Sequence, residues 1–202
     1  TSSGIGGGGF AIVYDAATGT THAYDFRETA PADLDPTDFV RHGKVDPMLS
    51  QRGGLAVGVP GEVAGLWRIS QAHGRLSWRR VVMPAVRLAR DGVPTSWFFA
   101  NAALRVVPGL PDAAPYAPLR ALLTTDGSTA RQWGDPLVRP ALARTLAAIA
   151  ADPRALMHGP LAADVVATAA AAGGVITAAD LDGYQVIERE PLRGTWRGYQ
   201  LA

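Results

Sequence analysis

The order of apolar and polar positions predicts a chain that begins with a pair of strands. The apolar run Phe10–Tyr14 predicts a buried strand, and Asp15–Gly19 reads as a tight turn. The chain then returns as a second strand over Thr20–Phe26. Three further strands are predicted later in the chain, over Leu55–Val59, Tyr184–Glu188 and Thr195–Leu201.

Most of the remaining chain shows helical spacing. Pro60 and Glu62 open one helix, because proline suits a first helical position and an acid suits the first turn. Thr177–Asp180 has the form of a capping box for a short helix near the end. Other helices are predicted after Ser77, after Thr95 or Ser96, from Pro140 and from Gly159. The pattern therefore predicts an α+β fold that is predominantly helical with a few strands.

Composition narrows the class of protein. The chain has 202 residues, of which 48% are hydrophobic and 18% charged, which is typical of a globular protein. The net charge of +1 gives no electrostatic reason to expect nucleic acid as a partner. The absence of cysteine excludes disulfides, thiolate catalysis and cysteine-bound zinc. No apolar run reaches the roughly 18–20 residues that a membrane span needs.

The organisation expected from the sequence is one domain over residues 1–202. No internal repeat or low-complexity linker divides the chain. It opens on a glycine loop next to a predicted strand, and it closes inside another predicted strand. We therefore expect an internal part of a larger protein, truncated at both ends.

Two familiar kinds of site are not supported. Gly4-x-Gly6-x-x-Gly9 matches the dinucleotide fingerprint, but it precedes a strand, whereas that fingerprint follows a strand and opens a helix. The histidines do not have the spacing of a metal site, so neither a metal nor another cofactor is predicted. They are His22, His42, His73 and His158.

The sequence offers no convincing nucleophile of its own. No Gly-x-Ser-x-Gly elbow is present. Thr1 has the form of an N-terminal nucleophile, since a free α-amine can activate a threonine hydroxyl. We interpret Thr1 instead as the point where the fragment begins, and we assign no catalytic residue.

Arg27 is the charge of greatest interest. It follows the second predicted strand, and its planar guanidinium can hold a carboxylate with two hydrogen bonds. Asp25 and Glu28 flank it, so the alternative interpretation is an arginine paired with a neighbouring acid. Spacing alone favours that alternative.

The most specific blocks of the sequence are Ser3–Phe10, with its glycine run, and Asp25–Pro31, with the motif Asp-Phe-Arg-Glu. In this order they resemble the large subunit of γ-glutamyltransferases (γ-glutamyltranspeptidases). Further blocks agree in the same order and extend the resemblance over nearly the whole chain. They are Gly54–Gly61, His73–Trp78, Leu142–Leu146 and Gly173–Tyr184.

The resemblance implies an N-terminal-nucleophile hydrolase with an αββα sandwich, formed by autocatalytic cleavage of one precursor. In that family a threonine at the start of the small subunit attacks the γ-glutamyl amide, and water or an amine then accepts the γ-glutamyl group. Carried over, Arg27 binds the α-carboxylate of a small-molecule γ-glutamyl substrate. The small catalytic subunit is the implied partner, and an extracytoplasmic location is implied as well.

Some features keep other functions open. The family's nucleophilic threonine is not in this chain, so residues 1–202 alone are expected to be inactive. Ala155–Gly159 also lacks the aromatic pair that the family usually has before that glycine. The alternatives are a related acylase, acting on cephalosporins or depolymerising poly-γ-glutamate, and a non-catalytic homologue that serves as scaffold.

Overall fold

The computed structural model describes residues 4–202, apart from the side chain of Pro115, and it confirms a largely helical α+β chain. The strands in this range are β1 (Phe10–Asp15), β2 (Thr20–Asp25), β3 (Val40–Arg41), β4 (Lys44–Val45), β5 (Val93–Pro94), β6 (Pro136–Leu137), β7 (Ile187–Arg189), β8 (Gly194–Trp196) and β9 (Tyr199–Leu201). The helices are α1 (Glu62–His73), α2 (Trp78–Asp91), α3 (Trp97–Val106), α4 (Ala117–Leu123), α5 (Pro140–Ala151), α6 (Gly159–Ala171) and α7 (Ala178–Gly183). None of the helices described has both the length and the apolar character needed to cross a membrane.

Two compact units make up the described chain. Residues 4–78 and 151–202 form the first, and residues 79–150 form the second. The core cluster of the first unit brings α6 and α7 together, with the side chain of Tyr184 packed against it. Its buried members are Val59, Ala162, Ala169, Ile176 and Leu181. The expectation of one domain over 1–202 stays a prediction.

The first unit contains an antiparallel sheet in the order β1-β2-β7. The predicted first hairpin is confirmed, with Gly19 at a φ of +68° in its turn. Tyr24 of β2 is buried, and its hydroxyl lies 2.7 Å from Nε2 of His73 at the end of α1. Glu188, opposite Tyr24 in the register, forms an ion pair with Arg68 of α1. Helix α1 therefore covers this face of the sheet.

The opposite face of the sheet is exposed. Phe10, Ile12 and Tyr14 of β1 are 66%, 54% and 65% exposed, and Ile187 of β7 lies on the same face. The prediction that β1 is buried is therefore wrong for the described residues. Successive side chains of a strand alternate between faces, and these three lie on the face opposite to α1.

The second unit contains α3, α4 and most of α2 and α5. Its long loop is organised by the guanidinium of Arg131, which donates hydrogen bonds to three backbone carbonyls. They belong to Leu122 at 3.3 Å, Thr124 at 2.6 Å and Pro136 at 2.8 Å. Three bonds to one charged group hold this irregular segment to the end of α4.

One predicted strand is replaced by a turn of 3₁₀ helix, and another is divided in two by a tight turn. Residues Gly54–Ala56 form a 3₁₀ helix, and Val59 makes only a single bridge with Thr29. The predicted strand Thr195–Leu201 is a hairpin of β8 and β9. Arg197 and Gly198 have φ values of 47° and 86°, the signs that a type I′ hairpin turn requires, so the chain reverses there.

Candidate functional site

The candidate site is the segment that follows β2, which begins with Phe26 and Arg27. The glycine loop, Gly4–Gly9, connects this segment to the start of α1. The N–H of Gly9 donates to the carbonyl of Phe26 at 3.2 Å, and the N–H of Phe26 donates back at 2.9 Å. The carbonyl of Gly7 accepts hydrogen bonds from Gly61 and Glu62 at 2.9 and 2.8 Å. The loop thus turns a carbonyl toward a helix start, whereas a phosphate cradle presents N–H groups.

The ring of Phe26 fixes the end of β2 against α1. Phe26 is buried and lies directly on Gly65, where an added Cβ would come within 2.1 Å of the ring Cγ. An added Cβ at Gly61 would lie 2.1 Å from the Phe26 carbonyl oxygen. Both glycines are therefore required for this close approach. Because the ring is buried, it fixes the position of the backbone from which the next residue, Arg27, projects.

The guanidinium of Arg27 remains largely accessible. Its side chain is 59% exposed, and within residues 4–202 it makes one ion pair, to Oε2 of Glu28 at 3.5 Å. An ion pair with this exposure stabilises a protein by about 0–1 kcal/mol. Hydrogen bonds to a charged partner contribute about 1.5–3 kcal/mol each, so the accessible N–H donors of this guanidinium are the strongest unused donors of the segment.

The other flanking acid is already bound elsewhere. Oδ1 of Asp25 accepts the backbone N–H of Arg27 at 3.1 Å, and Oδ2 lies 2.7 and 2.6 Å from two guanidinium nitrogens of Arg189. The N–H of Arg27, followed by the Arg189 guanidinium, lowers the pKa of Asp25 below its usual value. The interpretation that Arg27 pairs with a neighbouring acid is therefore confirmed, and that acid is Glu28.

Tyr184, the first residue after α7, contacts the same segment. Its hydroxyl donates a hydrogen bond to the backbone carbonyl of Arg27 at 2.8 Å. Burial, followed by the charges of Asp25 and Glu28, raises the pKa of Tyr184 to about 12, so the hydroxyl keeps its proton. Oε2 of Glu28 is buried and has no hydrogen-bond partner among the described residues.

Sequence reasoning did not find Arg189 or the role of Tyr184. Arg189 is 164 positions from Asp25, and Tyr184 is 157 positions from Arg27. The only signal was that Tyr184 closes one of the blocks that resemble the family. Thr1 and Ser3, which entered the sequence arguments, lie outside the described residues.

Three of the four histidines contact another histidine or an acid. The rings of His22 and His73 are 5.0 Å apart, and Nε2 of His158 lies 2.9 Å from Oδ2 of Asp152. Within residues 4–202, however, no three or more His, Asp or Glu side chains form a group that could hold a metal ion. The two contacts pair individual side chains.

Comparison with known proteins identifies the family. A sequence profile for gamma-glutamyltranspeptidases matches residues 1–202. The chain belongs to the γ-glutamyltranspeptidase family. It is 38% identical over 201 residues to Glutathione hydrolase 2 of Arabidopsis thaliana, covering 99% of this chain and 33% of that relative. It is 37% identical over 196 residues to Glutathione hydrolase proenzyme 1 of Schizosaccharomyces pombe, covering 96% of this chain and 30% of that relative.

A solved structure of the family has the same fold. The gamma-glutamyltranspeptidase of Helicobacter pylori superposes with a TM-score of 0.91 at 33% identity, over 99% of this chain and 57% of that one. The predicted family and the predicted α+β fold, as part of an N-terminal-nucleophile hydrolase, are therefore confirmed. The chain spans about a third of the length of the curated relatives it matches.

Proposed function

We propose that this chain is the part of a γ-glutamyltransferase or glutathione hydrolase that holds the α-carboxylate of a γ-glutamyl substrate through Arg27. The observation that supports the proposal is the exposure of that guanidinium and its single ion pair among the described residues. That pair is with Glu28, and the carboxylate of Asp25 is engaged by Arg189. A planar guanidinium with spare donors suits a carboxylate ligand.

The reaction that we propose for the whole protein is acyl transfer through a threonine. The threonine Oγ bonds to the γ-carbonyl carbon while its own α-amine accepts the proton, the amide C–N bond breaks, and the amine leaves with a proton. Water or an acceptor amine then attacks the ester, takes the γ-glutamyl group and restores the hydroxyl. Binding through Arg27 would fix the far end of the substrate and so align its γ-carbonyl.

We further propose that the threonine lies on a small subunit cut from the same precursor. The exposed sheet face supports this partner, because Phe10, Ile12, Tyr14 and Ile187 offer a row of apolar side chains opposite to α1. An αββα sandwich requires a second sheet against such a face. The name of the fission yeast relative, a proenzyme, also agrees with a processed precursor.

The test uses the full-length protein that contains this chain. We expect it to separate into two polypeptides, the smaller beginning with threonine, as read from intact mass and N-terminal sequencing. The processed protein should release the chromophore from a γ-glutamyl anilide and glutamate from glutathione. Cleavage of a cephalosporin side chain and shortening of poly-γ-glutamate are measured in parallel at equal enzyme concentration.

Each alternative has its own result. Cephalosporin cleavage without γ-glutamyl anilide turnover would assign the acylase, and rapid shortening of poly-γ-glutamate would assign the depolymerase. A full-length protein without a threonine at a processed terminus would be a non-catalytic homologue. Any of these outcomes would overturn the proposal.

A further inference from the structure

We propose that Tyr184 is a positioning residue for Arg27, an inference that rests on the proposed function. Its hydroxyl holds the backbone carbonyl of Arg27 at 2.8 Å. The direction in which the guanidinium leaves the backbone is set by this peptide unit. Tyr184 would thereby control how well the substrate's α-carboxylate is bound without contacting the substrate itself.

Both backbone groups of Arg27 are held by side chains, at a point where the regular strand ladder has ended. Its N–H donates to Oδ1 of Asp25 at 3.1 Å, and its carbonyl accepts from Tyr184. On either side, Phe26 pairs with Gly9, and Thr29 bridges to Val59. The peptide of Arg27 therefore depends on two side-chain contacts rather than on backbone pairing.

The hydroxyl occupies a site shaped to receive it. An added Cβ at Gly61 would lie 2.1 Å from the Tyr184 hydroxyl oxygen and 2.1 Å from the Phe26 carbonyl oxygen. Glycine at this position lets the phenol reach the backbone just after β2. Burial, followed by the charges of Asp25 and Glu28, raises the pKa of the Tyr184 phenol to about 12, which agrees with its role as a donor to the Arg27 carbonyl.

The ring of Tyr184 is itself fixed by the core. It packs against the cluster that includes Leu181, which is 0% exposed, and Val59. Val59 also bridges to Thr29, two residues after Arg27. The aromatic side chain of Tyr184 thus holds the Arg27 carbonyl at a fixed position relative to the core. Small displacements at such a contact reduce binding, because a bidentate pair needs accurate geometry.

The experiment compares Tyr184→Phe with Tyr24→Phe in the full-length processed enzyme. Each substitution removes one tyrosine hydroxyl from one hydrogen bond, since that of Tyr24 lies 2.7 Å from His73. We expect Tyr184→Phe to raise KM for a γ-glutamyl anilide by about tenfold, with kcat within about twofold. Tyr24→Phe should leave KM within about twofold.

A double-mutant cycle tests whether the effect passes through Arg27. In an Arg27→Ala background, Tyr184→Phe should change KM by less than about twofold, because the group that it positions is gone. An unchanged KM for Tyr184→Phe alone, or the same tenfold rise in the Arg27→Ala background, would overturn the inference while leaving the proposed function intact. If Arg27→Ala itself left KM unchanged, the proposed function would fail, and this inference with it.

Discussion

Arg189 and Asp25 are joined across 164 positions of sequence, with Nε and Nη2 of the arginine 2.7 and 2.6 Å from Oδ2 of the aspartate. This ion pair links β7 to the last residue of β2. Oδ1 of the same carboxylate accepts the backbone N–H of Arg27. One aspartate therefore anchors the start of the segment and leaves the Arg27 guanidinium for another partner.

This anchor predicts a specific response to acid. The hydrogen bond from the Arg27 N–H, followed by Arg189, lowers the pKa of Asp25 in the folded protein. A lowered pKa stabilises the fold fully above the unfolded value, about 3.9, and this contribution is lost as the pH falls through the folded value. Thermal unfolding of the full-length protein between pH 7 and pH 3 should therefore show Asp25→Asn with a lower Tm at pH 7 and a flatter decline in acid.

The matched control for this measurement is Asp33→Asn. Asp33 is exposed and has no ion pair among the described residues. Its substitution should leave the pH profile parallel to that of the parent protein. If the Tm of Asp25→Asn and that of the parent protein fell equally steeply between pH 7 and pH 3, the proposed anchoring would be contradicted.

Removal of the Arg27 guanidinium should weaken substrate binding. Arg27→Ala in the full-length enzyme is expected to raise KM for γ-glutamyl substrates by the equivalent of about 2–4 kcal/mol, since charge-assisted contacts are lost. The KM of Arg27→Lys should lie between those of the parent enzyme and Arg27→Ala, because lysine keeps the positive charge but lacks the two parallel N–H donors of the guanidinium. Steady-state kinetics measures both, with exposed Arg193→Ala as the control. Unchanged kinetics in Arg27→Ala would remove the assignment.

The contact between Gly65 and Phe26 should make an ordinarily favourable substitution harmful. Glycine to alanine inside a helix usually stabilises by about 1 kcal/mol. At Gly65 the new Cβ would lie 2.1 Å from the Phe26 ring, and overpacking of this kind costs about 1–3 kcal/mol. We expect Gly65→Ala to lower the Tm in thermal unfolding. Gly183→Ala, where nothing lies within 4 Å, should not lower it.

The second unit offers an independent test of loop anchoring. Arg131 donates to the carbonyls of Leu122, Thr124 and Pro136, so Arg131→Ala leaves three acceptors without this partner. We expect a loss of about 2–3 kcal/mol in unfolding free energy, measured by denaturant titration. Arg105→Ala, on the exposed side of α3, should stay within about 0.5 kcal/mol. A comparable loss for both variants would show that Arg131 has no special role.

Local chemistry explains the parts of the fold that could be predicted from sequence. The hairpin of β1 and β2, the start of α1 at Glu62 and the capping box of Thr177 and Asp180 all appear where predicted. Each depends on residues within a few positions of one another. The turn at Arg197 was missed because a positive φ at a non-glycine residue leaves little trace in an apolar pattern.

The sequence by itself determined every described α-helix except α4, the first hairpin and, through the collinear blocks, the family and the choice of Arg27. Only the tertiary structure decided which acid Arg27 keeps, which face of β1 is exposed, and that Arg189 and Tyr184 hold the segment after β2. The physical reason is distance along the chain. Caps and turns are satisfied by near neighbours, whereas the contacts of Arg189 with Asp25 and of Tyr184 with Arg27 join residues more than 150 positions apart, and only packing of the core brings them together.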